Sequence, residues 1–96
     1  MKIKINKPQG NILNAMRRAG YHPEIKRTKE EISFSRSLRG SRYPRFHAYY
    51  HEEKKEINLH LDQKAPRYKG APDHGAEYSG KLIEEEAERI KSLLLN

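Results

Sequence analysis

The chain has 96 residues, 20 of them Lys or Arg and 13 Asp or Glu, and its net charge of +7 points first to polyanionic partners, nucleic acid ahead of acidic membrane surfaces and acidic proteins. That length fits one domain, and a hydrophobic share of 34% implies a thin core with little room for a deep enzyme pocket. The absence of cysteine excludes disulfides, thiolate zinc sites, iron–sulfur clusters and cysteine nucleophiles, and the longest apolar run, Leu93-Leu94-Leu95, is far below the ~20 residues that span a bilayer.

In chain order, Met1-Lys2-Ile3-Lys4-Ile5-Asn6-Lys7 is basic without an apolar stretch, so no secretory signal is expected and the cytoplasm is the expected location. Lys2-Ile3-Lys4-Ile5 has the alternation of a short strand, ended by Pro8 and Gly10. Asn11 suits a helix N-cap; Ile12, Leu13, Met16 and Ala19 follow helical spacing, and Gly20 supplies the stop. Pro23 opens an extended stretch over 24–27, with a turn at Thr28-Lys29-Glu30. Ile32-Ser33-Phe34-Ser35-Arg36 alternates as a strand does. Two more strands follow: Phe46, Ala48 and Tyr50 alternate with His47, Tyr49 and His51, and Ile57, Leu59 and Leu61 alternate with Asn58, His60 and Asp62. Glu52-Glu53-Lys54-Lys55-Glu56 forms the hairpin tip between them.

Residues 63–78 hold no period and are punctuated by Pro66, Gly70, Pro72 and Gly75; a loop of this length in a small domain is usually functional or mobile. Ser79 is placed to cap a last helix whose inner face carries Ile83, Ala87, Ile90 and Leu94. Glu84, Glu85 and Glu86 suit its positive N-terminus, and Glu85 and Arg89 have the spacing of a helical ion pair. The expectation is an α+β fold: a three- or four-stranded antiparallel meander with an N-terminal and a C-terminal helix packed on one face, residues 1–96 forming one domain. Ile32, Phe34, Phe46, Ala48, Tyr50, Ile57, Leu59 and Leu61 are the expected sheet side of the core.

The same alternation puts His47, Tyr49, His51, His60 and Asp62 on the face away from the core. A two-residue turn at Lys54-Lys55 sets His47 opposite Asp62, Tyr49 opposite His60 and His51 opposite Asn58; a slip of two residues sets His47 opposite His60. Such a face suits a plain solvated surface, a surface on which Tyr49 stacks a base, or acid–base chemistry in which His47 or His60, oriented by Asp62, takes a proton from a ribose hydroxyl. His47, His60 and Asp62 are acceptable zinc or manganese ligands, but strand alternation is no diagnostic metal spacing, so the sequence assigns no metal and no cofactor.

Arg36, Arg39, Arg42 and Arg45 recur at every third position among Ser35, Ser37, Gly40, Ser41 and Tyr43, the most nucleic-acid-like stretch of the chain. Guanidinium forks match phosphate oxygens, Tyr43 offers a stacking ring, and Lys64 and Arg67 add charge from the long loop. Neither helix reads as a recognition helix, which favours RNA or another single strand over duplex DNA.

Two resemblances bear on these residues. Tyr43-Pro44-Arg45-Phe46-His47, followed by Asn58-Leu59-His60-Leu61-Asp62-Gln63-Lys64, the long loop and the Glu-rich last helix, resembles a group of small uncharacterised proteins of candidate-phylum bacteria, which implies no activity. A helix ending in Ala19-Gly20-Tyr21, a strand meander and a final helix is similar in order to the HicA toxin family, small basic mRNA-cleaving proteins with a double-stranded-RNA-binding-like fold and a catalytic His on the second strand. That resemblance implies a catalytic role for His47; the family's Gly-Ser-His segment reads Gly40-Ser41-Arg42 here. The sequence therefore carries three expectations: an RNA-binding protein with no membrane association, a metal-independent ribonuclease using His47 or His60 with Asp62, or an interaction module that meets a protein partner or a second copy through Leu93 and Leu95.

Overall fold

The computed structural model describes residues 1–6, 10–24, 31–63, 76–77 and 80–95. Its elements run β1 (Lys2–Lys4), α1 (Ile12–Arg18), β2 (His22–Pro23), β3 (Glu31–Ser37), β4 (Arg45–His51), β5 (Glu56–Asp62), β6 (Ala76–Glu77) and α2 (Lys81–Leu94). The fold is α+β, and the three long strands β3, β4 and β5 form the expected antiparallel meander. The sheet is wider than three or four strands: its order is β1-β5-β4-β3-β2, and β6 also pairs with β5. β1 is the short strand expected from Lys2-Ile3-Lys4-Ile5, and it joins a strand far along the chain; β2 and β6, two residues each, are too brief to leave a periodic signature. Its register sets Ile3 opposite Ile57, and the Met1 ammonium donates to the Leu59 carbonyl at 2.9 Å while Leu59 N–H donates back to Met1 at 2.7 Å.

The β4–β5 hairpin takes the slipped register, with His47 opposite His60, Tyr49 opposite Asn58 and Arg45 opposite Asp62. The loop is four residues, Glu52 to Lys55, closed by Lys55 N–H donating to Glu52 at 3.3 Å, with Lys55 at φ 52°. A two-residue turn of the common hairpin type needs positive φ at both central residues, which Lys54-Lys55 supports poorly; the longer loop asks for it once.

Both helices lie against the apolar face of the sheet. Ile3, Ile5, Phe34, Phe46, Ala48, Tyr50, Ile57, Leu59 and Leu61 are buried against Ala15, Met16, Ala19 and Tyr21 around α1 and Ile83, Ala87, Ile90 and Leu94 of α2. Ile32 is only partly buried and packs at the margin of this core. Full burial of each large apolar side chain contributes ~1.5–3 kcal/mol.

α1 is short and depends on its ends. Asn11 Oδ1 accepts from Asn14 N–H at 2.9 Å. At the other end Gly20 N–H donates to Arg17 and Tyr21 N–H to Met16, both at 2.9 Å, with Gly20 at φ 93°, a left-handed turn that turns the chain toward β2. α2 has Gly80, not Ser79, at its N-cap position. Glu86 faces inward at 5% exposure, and Arg89 grips its carboxylate through Nε at 2.8 Å and Nη2 at 2.9 Å, replacing the expected Glu85–Arg89 pair. Tyr21 donates to Glu86 Oε2 at 2.6 Å, and Arg89 Nη2 donates to the Ala19 carbonyl at 2.6 Å, so one buried carboxylate ties α2 to the end of α1.

Candidate functional site

Strand parity decides what the open face of the sheet carries. Position by position across β3, β4 and β5 it presents Ser33, Tyr49 and Asn58, then Ser35, His47 and His60, then Ser37, Arg45 and Asp62. Five of the expected site residues are thereby brought together: His47, His60 and Asp62 of the acid–base set, and Arg45 and Tyr49 of the nucleic-acid set.

Distances show a dense polar cluster. His47 Nε2 lies 2.6 Å from Ser33 Oγ, and Nδ1 lies 3.2 Å from the Tyr49 hydroxyl. Both partners are hydroxyls, which donate or accept, so either neutral tautomer of His47 is satisfied. Asp62 sits 3.1 Å from His60 Nε2 through Oδ1 and 3.6 Å from His47 Nδ1 through Oδ2. Arg45 bridges two carboxylates, with Nε 3.4 Å from Asp62 Oδ2 and Nη1 3.4 Å from Glu24 Oε1; the same Glu24 oxygen is 3.7 Å from His47 Nε2. The rings of His47 and Tyr49 are 4.3 Å apart at their centroids, and Tyr49 and His60 stack at 5.5 Å.

His60 is 8% exposed although it lies on the face away from the helices. Burial, then the Arg45 guanidinium and then His60, hold His47 below the ordinary histidine range, outweighing Asp62 and Glu24, which act upward. A neutral imidazole is the form that accepts a proton or a metal ion. Among the described residues, two carboxylates, Asp62 and Glu24, and one guanidinium, Arg45, border the imidazoles.

The four arginines separate. Arg36 has the parity of Phe34, lies on the helix side of the sheet 3.6 Å from Glu86, and places its guanidinium over Phe46. Arg39 and Arg42 are exposed in the loop between β3 and β4. Arg45 alone reaches the histidine cluster, and its guanidinium covers the Tyr43 ring at 5.0 Å. Tyr43 and Tyr49 thus each have part of their ring surface against a neighbouring side chain. His51, on the same face, lies opposite Glu56 and apart from the cluster residues. Lys64 and Arg67 lie outside the described residues, as does most of the long loop. Leu93 and Leu95 are exposed on and just beyond α2, together with Leu82.

Two contributors escaped the sequence: Ser33 and Glu24. Extending the β4–β5 parity to the preceding strand finds Ser33 beside Tyr49; Glu24 is placed by β2, a strand too short to announce itself. Among the described residues no helix is long and apolar enough to cross a membrane. No protein-family model matches the chain, and neither a curated protein nor a solved structure matches it.

Proposed function

We propose that the protein binds single-stranded RNA at the end of the sheet where the β3–β4 loop meets the open face. The observation that carries this reading is the placement of Arg39 and Arg42: both are exposed, on a loop that leads directly into Arg45 and the histidine cluster. The phosphate contacts belong to these two loop arginines. Arg45 is already engaged by Glu24 and Asp62, and an anion entering between them would face both carboxylates. The test is a fluorescence titration of a short single-stranded RNA at several salt concentrations. Affinity falls steeply with salt, and the Arg39→Ala/Arg42→Ala double variant binds more weakly with a salt slope smaller by about 1.4, since each single-strand phosphate contact contributes ~0.7. No binding by the native protein at low salt ends the proposal.

A second reading has its own support: His47, hydrogen-bonded to Ser33 and backed by Asp62, has the arrangement of a general base. In this reading it takes the proton of a ribose 2′-hydroxyl in metal-independent cleavage. His47→Ala then abolishes cleavage measured in EDTA and leaves RNA affinity intact; unchanged cleavage removes His47 from the chemistry.

A further inference from the structure

We propose that His47, His60 and Asp62 form a binding site for a divalent transition-metal ion, with zinc as the best-matched species. The proposal does not depend on RNA binding. One candidate donor atom from each residue can be chosen so that all lie within 4.8 Å of one another. The Asp62 carboxylate reaches both imidazoles, one through each oxygen: Oδ1 is 3.1 Å from His60 Nε2, and Oδ2, which Arg45 Nε also approaches at 3.4 Å, is 3.6 Å from His47 Nδ1. Ligands held 2.0–2.1 Å from a tetrahedral zinc stand roughly 3.4 Å apart. Two imidazole nitrogens and one carboxylate are a donor set used by zinc and by ferrous iron, and three protein ligands leave a coordination position open.

Rigid elements hold the ligands. His47 and His60 are directly opposed on paired strands, and Asp62 follows His60 on the same face of β5. A supporting shell is also present. Ser33 Oγ at 2.6 Å, with Glu24 beyond it at 3.7 Å, engages His47 Nε2, which directs Nδ1 toward Asp62. Metal-bound histidines characteristically use their second nitrogen in this way. The Tyr49 hydroxyl is the group a metal displaces from Nδ1. Two carboxylate oxygens, of Glu24 and Asp62, lie 3.7 and 3.6 Å from His47, an acceptor-rich surrounding that suits a cation.

The experiment is a calorimetric titration of zinc into untagged, EDTA-treated and desalted full-length protein, with cobalt(II) absorption reporting coordination. Support is one equivalent bound with a dissociation constant of about 1 µM or lower. Binding weakens at least tenfold in His60→Ala and Asp62→Asn and is unchanged in His22→Ala and His51→Ala, while Ser33→Ala weakens it by about tenfold through the supporting shell. Tyr49→Phe, which removes only the competing hydroxyl, binds at least as tightly as the native protein. Circular dichroism of each variant identifies any loss due to unfolding, and Asp62→Asn, close to isosteric, keeps the test decisive if His60→Ala does not fold. Binding weaker than about 100 µM, or binding that Asp62→Asn leaves unchanged or His51→Ala weakens equally, overturns the proposal. RNA titrations with and without zinc, run on the same preparations, separate failure of this site from failure of RNA binding.

Discussion

Replacing Tyr21 with Phe removes one oxygen from a buried contact between α2 and the residue that follows the Gly20 turn. The side chain is 1% exposed and its hydroxyl donates to Glu86 Oε2 at 2.6 Å. The ring remains, so no cavity opens, and the loss is that of a hydrogen bond to a charged acceptor, ~1.5–3 kcal/mol. Glu86 keeps its two bonds from Arg89, which places the expected loss near the lower end, about 1.5–2 kcal/mol. For a domain of this size that lowers Tm by roughly 6–16 °C. Urea unfolding at pH 7 followed by far-ultraviolet circular dichroism measures it directly. A loss below about 0.5 kcal/mol would refute the claim that this bond ties α2 to the end of α1.

Alkali supplies an independent check on the same residue. Burial, then the Glu86 carboxylate, pushes the Tyr21 phenol well above its ordinary value. Above pH ~10 the unfolded chain releases this proton while the folded protein keeps it, so the stabilisation is complete below pH ~10 and is lost as pH rises. Tyr21→Phe makes the alkaline limb of the stability profile shallower.

His47 gives the opposite sign in acid. Its value is lowered in the folded state, so the unfolded chain binds more protons below pH ~6.5, and the metal-free protein loses stability as pH falls through that window. His47→Asn flattens the slope between pH 7.5 and 5.5 in denaturant titrations; an unchanged slope assigns it elsewhere. Arg36→Ala leaves RNA affinity unchanged and costs at most ~1 kcal/mol of stability, because its pair with Glu86 is long and partly exposed; a large drop in affinity instead would return Arg36 to the binding surface. Gly20→Ala costs ~1–2 kcal/mol in thermal unfolding, since φ 93° is strained for any residue with a Cβ and that Cβ would stand 3.4 Å from Arg36.

The long strands were legible because each side chain's face follows from a period of two, and that parity alone placed His47, His60 and Asp62 together. It also held the answer for Arg36. The three-residue spacing of the arginines spans the end of a strand and a loop, so it has no geometric meaning there, whereas the parity shared with Phe34 puts Arg36 on the helix side. The hairpin register was open because alternation permits any even slip; turn chemistry at Lys55 selects between them. β1 and β2 were less legible. The alternation of Lys2-Ile3-Lys4-Ile5 announced β1 but not its partner β5, far along the chain, and the two residues of β2 are too few to show a pattern of their own. Glu86 was hidden for a related reason: in a run of three glutamates, only the approach of Tyr21 and Arg89 distinguishes the inward one.

The short strands at the borders of the sheet bear on how the protein meets other chains. β2 offers only two residues, one of them Pro23, which has no N–H to give. On the other side β1 is three residues long, with Lys2 and Lys4 flanking Ile3. An incoming extended segment that seeks to pair with β2 itself therefore finds at most one N–H there, and on β1 it must lie beside two lysines, two features that discourage strand-by-strand growth at these two strands. At β1 and β2, then, lysine side chains and a proline ring set the terms on which another strand approaches.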